Sequence, residues 1–170
     1  MSLAEFADLG EAIGGLAVLM TVMYLAVQMR QSTALARAAA QRDLMNSFNA
    51  NLDRIARAPR IWQKGVLEFE TLSNEDQLRF TMIFNTFVNH LEQTLRMLAR
   101  GLETQDNVDI FGDICLALIR EPGGRQVWEH TKPLYFRLSR EYIERRLGDE
   151  TGLPPRASEI MPWHAPDSAA

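Results

Sequence analysis

Apolar residues run without an ionised side chain from Ala12 to Met29 (AIGGLAVLMTVMYLAVQM), and only Thr21, Tyr24 and Gln28 interrupt them with polar groups. Drawn on a helix, these positions cover every face rather than one stripe, which is the pattern of a segment with apolar surroundings on all sides. At about 1.5 Å per residue the run spans roughly 27 Å, close to the ~30 Å hydrocarbon layer of a bilayer. A transmembrane helix is the leading expectation. The alternative is a soluble helical protein with residues 12–29 buried, which asks a small domain to enclose that helix completely. Gly10 and Gly14 form a GxxxG pair, with Gly15 beside them, that would let a second helix approach closely within the membrane.

Neither Pro nor Gly occurs from Leu16 to Ala58, and the cluster Ala34, Leu35, Ala36, Ala38, Ala39 and Ala40 favours helix, so the span is expected to continue as one long rod. Met45, Phe48, Leu52 and Ile55 then recur at spacings of three and four, a stripe that needs a cover. Pro59 ends the rod or opens the next helix, in which Trp62, Val66 and Phe69 keep helical spacing. Ser73 followed by Asp76 is a capping-box-like start for a helix running to about Arg100 and stopped by Gly101. Its Phe80, Phe84, Phe87, Leu91, Leu95 and Leu98 are the expected centre of the core. Thr104 or Asp106 caps another helix, with Val108, Phe111, Ile114 and Leu118 inward, and Pro122-Gly123-Gly124 is expected to close it as a turn. A short segment around Val127 and Trp128 follows, and Ser139 is expected to cap a last helix through Leu147. No stretch alternates as a strand would.

The expected fold is all-α: an N-terminal transmembrane helix continuing into a long rod, packed with a small helical bundle. The divisions are residues 1–30, tail and membrane helix; 31–147, a cytoplasmic helical domain; and 148–170, a Pro- and Gly-rich flexible tail in which Trp163 docks locally.

Composition and charge sharpen this picture. The 170 residues are 46% hydrophobic and 24% charged, which argues for one folded domain and against disorder. A net charge of -4 gives no global basic field, so nucleic acid is not an expected partner. The charge is zoned. Residues 1–29 carry Glu5, Asp8 and Glu11 and no base, whereas residues 30–60 carry six arginines against Asp43 and Asp53. The acidic start is unlike the basic opening of a cleaved signal peptide. Arg30 and Arg37, just beyond the span, place the C-terminal side in the cytoplasm and the N-terminus outside by the positive-inside rule. The single cysteine, Cys115, excludes an intrachain disulfide and suits a reducing compartment.

Candidate chemistry is sparse. His90 and Glu92 lie two apart on the central helix, so they point in different directions and do not chelate as a pair; His90 reads as a surface histidine. No histidine follows a Glu by three residues, and HExxH, GxSxG and phosphate-loop patterns are missing. Glu103, Asp106, Asp109 and Asp113 read as a solvated acidic face near a helix start. Asn85, Asn89, Glu92 and Arg96 form a polar stripe opposite the phenylalanines, and burial would make Asn89, His90, Glu92 and Arg96 the leading pocket residues. No catalytic set, metal or cofactor is expected.

The stretch Tyr24-Leu-Ala-Val-Gln-Met-Arg-Gln-Ser-Thr33, together with Leu72-Ser-Asn-Glu75, Gly101 and Pro122-Gly-Gly-Arg-Gln-Val-Trp128, resembles a set of uncharacterised bacterial proteins with one N-terminal membrane helix and a small helical domain. The resemblance covers roughly residues 12–147 and supplies no activity. What it implies is a single-pass protein of the bacterial inner membrane. With the residue patterns, it leads to the expectation of a membrane-anchored interaction or accessory protein whose partners are the lipid bilayer and either a second copy or a larger membrane complex. The alternative is a membrane-tethered enzyme or ligand sensor with a pocket between the helices.

Overall fold

Backbone hydrogen bonding follows the predicted helical periods closely. The structure, a computed structural model, describes residues 3–161, with side chains from Glu11 onward except at positions 12 and 150. Among the described residues there is no strand. The helices are α1 (Leu3–Arg57), α2 (Pro59–Glu68), α3 (Asn74–Ala99), α4 (Gln105–Ile119), α5 (Pro122–Thr131), α6 (Arg137–Gly148) and α7 (Ala157–Ile160). Contacts divide the chain into two units, Met1–Asp43 and Leu44–Ala170.

The first unit is the forward part of α1. Its large apolar side chains from Ile13 to Met29 are between 50% and 71% exposed, so nothing in the structure buries them. An 18-residue window there has a mean hydropathy of 1.5, against -0.17 for the whole chain. It lies in the one helix among the described residues that is long and apolar enough to cross a membrane. The Thr21 hydroxyl donates back to the Ala17 carbonyl at 2.8 Å, so that this polar interruption is satisfied within the helix.

The second unit is a bundle built around α3. Ser73 accepts from the Asp76 amide at 3.2 Å, as a capping residue should, and Gly101 ends the helix at φ +68°, a conformation that a side chain would resist. Between these signals Phe80, Phe84, Phe87, Val88, Leu91 and Leu95 are buried. The stripe on the last turns of α1 is covered only in part: Phe48 and Ile55 pack against the core beside the buried Leu44, whereas Met45 and Leu52 are 47% and 45% exposed. Phe48 meets Phe87 and Phe111 edge-on, with ring centroids 5.9 Å and 5.5 Å apart, a geometry that aligns the ring quadrupoles favourably.

Three local expectations are corrected. Pro122-Gly123-Gly124 is not a turn; it forms the first turn of α5, with Pro122 at a position that needs no amide donor. The glycines serve packing. A Cβ on Gly123 would fall 1.8 Å from the Gly65 carbonyl oxygen of α2, and one on Gly124 would fall 1.9 Å from that of Leu118. Ser139 does not cap α6, because the helix starts two residues earlier and the buried Ser139 hydroxyl donates instead to Glu92 at 3.2 Å.

The third concerns the tail. From residue 148 to Met161 the chain packs on the bundle instead of forming the expected mobile tail. Ala157 is buried, the Ser158 amide donates to the fully buried Glu121 carboxylate at 2.7 Å, and Arg120 donates to the Pro154 carbonyl. Isolated polar anchors hold this strap, so no apolar period announces it. The expected docking of Trp163 falls outside the described residues.

Candidate functional site

Of the residues that the sequence nominated for a pocket, Asn89 and Glu92 line one shallow notch, and His90 and Arg96 are not part of it. His90 points into the core, where it is 1% exposed. Its Nδ1 lies 3.0 Å from the Thr86 carbonyl and its Nε2 lies 3.1 Å from that of Leu44, so whichever nitrogen carries the proton donates to one of them. The expectation of a surface histidine is therefore overturned. Spacing held the clue, since His90 shares the helical face of Phe87, Leu91 and Thr94.

Glu92 lies on another face of α3 and works as a tether. Its carboxylate accepts from the Phe136 amide at 3.3 Å, from Ser139 Oγ at 3.2 Å and from Arg96 at 2.8 Å. The Arg96 guanidinium in turn sits 3.8 Å from the centre of the Phe136 ring. Asn85 accepts from the Tyr135 hydroxyl at 2.6 Å, while Asn89 is exposed beside a shallow notch of about 240 Å³. Burial pushes the Tyr135 hydroxyl well above its ordinary pKa, so it stays a donor. These contacts dock the α5–α6 connection onto α3. Glu92→Ala, which leaves three donors without their acceptor, is expected to cost about 1–3 kcal/mol in urea denaturation and to speed exchange of the Phe136 amide. Unchanged stability would remove Glu92 from this role.

The acidic face resolves in the same way. Glu103 is buried and accepts from the Thr104 amide and the Asn107 side chain, at 3.0 Å and 2.7 Å. Asp113 and Asp109 lie 2.7 Å and 4.0 Å from Arg146, which also donates to the Tyr142 hydroxyl and the Gly152 carbonyl. Among the described residues no group of three or more His, Cys, Asp or Glu side chains is arranged to hold a metal ion. Cys115 is buried, its thiol donates to the Phe87 carbonyl at 3.3 Å, and burial raises its pKa far above the ordinary 9.0; it is an inert core thiol.

Sequence reasoning missed an apolar cavity of about 330 Å³ in the side of the bundle, open at an edge where Leu52 and Ile160 are about half exposed. Phe48 and Leu52 of α1, Phe87 of α3, Ile114 and Ala117 of α4, and Ile160 of the strap are among its walls. No single helical stripe could reveal it, because the space arises between residues more than 100 positions apart.

On the first unit, Arg30 and Arg37 share an exposed face of α1 with Met29, Thr33 and Ala34. Gly14 and Gly15 have open space where a Cβ would stand, which leaves a flat helix surface there. Gly10 is helical, and its surroundings lie outside the described side chains. Comparison of the chain with protein families, with curated proteins and with solved structures finds no match.

Proposed function

We propose that the chain is a single-pass anchor for a helical interaction or accessory module at the bacterial inner membrane, with the N-terminus outside and the bundle in the cytoplasm. The observation that carries the reading is the run from Ile13 to Met29, uncharged and exposed around its whole circumference. In water such a surface far exceeds the apolar patches that isolated soluble proteins tolerate. In lipid it is solvated, and the closed hydrogen bonds of the helix meet the requirement of that medium. Arg30 and Arg37 after the span, against three acids and no base before it, support the orientation. The module then works beside membrane partners, as a homo-oligomer or as a subunit of a larger complex. A second reading, a membrane-tethered ligand sensor, draws on the apolar cavity between α1, α3 and α4.

Orientation is testable with new cysteines, because native Cys115 is buried and unreactive. Glu11→Cys and Leu134→Cys place thiols at exposed positions on either side of the span. In intact bacterial spheroplasts a membrane-impermeant maleimide is expected to label the first and to reach the second only after lysis. The reverse pattern would overturn the orientation.

A further inference from the structure

We propose that the cavity of the bundle is a binding site for a single hydrocarbon chain whose head group is uncharged or cationic. The inference goes beyond the anchoring role and stands apart from it, because every wall of the cavity belongs to the second unit. Three observations carry it.

Size is the first. A dry cavity of about 150 Å³ lined by Leu, Ile and Phe is known to admit benzene, and this one measures about 330 Å³. At about twice the benzene-holding volume it has room for an apolar chain longer than a single ring. Lining is the second. Trp62 and the edge carboxylate of Asp113 are the polar-bearing side chains there, and Phe48, Leu52, Phe87, Ile114, Ala117 and Ile160 offer no hydrogen bond, so water entering there would find few partners while a hydrocarbon would need none.

Charge at the mouth is the third, and it selects the head group. The ionisable side chain on the lining is Asp113, about half exposed at the edge, and its partner is Arg146. Arg146 is already shared with Asp109, so the three groups carry a net charge of -1. Burial alone would lower the pKa of the guanidinium, but the hydrogen bonds and charge interactions with Asp113 and Tyr142 together raise it. A carboxylate or phosphate head would meet two acids and a cation whose donors are committed. A hydroxyl, amide or amine head would not be repelled.

Pro154, Ala157, Ile160 and Met161 of the strap form one wall, which contacts of Glu121, Arg120 and Arg146 hold on the bundle.

The test uses the full chain in native membranes with a photoactivatable, diazirine-bearing dodecanol, followed by mapping of the labelled peptides. Labelling of residues 48–55 and 114–118 that saturates, and that excess plain dodecanol suppresses, is the expected result. The span, labelled by simple partition, should not saturate and serves as the internal reference; its failure to label would count against the anchor and not against the cavity. Ala117→Phe fills the cavity from α4, and Leu52→Trp fills it from a half-exposed position that a folded bundle tolerates. Each is expected to lower cavity labelling about tenfold while labelling of the span is unchanged. The matching diazirine dodecanoate is expected to label the cavity about tenfold less than the alcohol does. Absent or non-saturating cavity labelling, indifference to Leu52→Trp, or equal labelling by the carboxylate would overturn the proposal.

Discussion

Gly123→Ala is expected to lower the stability of the bundle by about 3 kcal/mol or more, at the upper end of what overpacking costs. The cause is a crossing at which two backbones touch. An alanine Cβ would stand 1.8 Å from the Gly65 carbonyl oxygen, and 3.0 Å from that of Val66. Comfortable contacts lie near ~3.5 Å, so α2 and α5 would have to separate by about 1.7 Å. Neither partner atom is the end of a flexible side chain, so there is no local escape. Separation would also loosen Trp62, Val66, Val127 and Trp128, all of which are buried around the crossing. For a chain of this size, 3 kcal/mol corresponds to a drop in Tm of roughly 6–12 °C. Gly148→Ala is the matched control, because nothing lies within 4 Å of its added methyl group. A melting temperature for Gly123→Ala indistinguishable from that of the control would contradict the packing described for α2 and α5.

The second large effect is expected in the span. Residues 12–29 include seven Leu, Ile and Val residues, each favouring insertion at the helix centre by about 0.3–0.6 kcal/mol, or roughly 2–4 kcal/mol together. One Asp at the centre opposes insertion by about 2.5–3.5 kcal/mol. The pair Leu19→Asp and Val22→Asp therefore reverses the sign, and the double variant should leave the membrane fraction almost completely. Leu16→Ala, which removes apolar surface without adding charge, should stay in it. Membrane retention of the double Asp variant would mean that something other than hydrocarbon holds this segment.

Much of this architecture was legible in the pattern of side chains because it is local. The Ser73 cap, the stop at Gly101 and the phenylalanine stripe between them define α3 within its own residues. The stripe from Phe48 to Ile55 announced a packed face in the same manner, although Leu52 within it stays half exposed. What escaped depends on where distant segments come to rest. Gly123 looks like a turn residue until α2 is in place, when the close approach to Gly65 explains it, and Gly124 looks like one until it is seen against the Leu118 carbonyl of α4. Ser139 has the chemistry of a cap, but Glu92, 47 residues earlier, is the stronger claim on its hydroxyl. The strap has no period at all; a buried alanine and the reach of Glu121 across 37 residues dock it. Of the nominated site residues, His90 could have been placed in the core from its register with Phe87 and Leu91, whereas the tethering role of Glu92 needed the position of α6. The cavity lies at the far end of this scale, because it is a space between helices and no residue pattern encodes it directly.

The anchor is the assertion on which place and role both depend, and alkaline carbonate extraction of the unaltered full chain tests it most directly. Carbonate strips proteins held by surface contacts and leaves those whose helices are solvated by lipid tails. The chain is expected to remain in the membrane pellet and to be released only by detergent. Recovery of the folded chain in the aqueous supernatant would contradict the account.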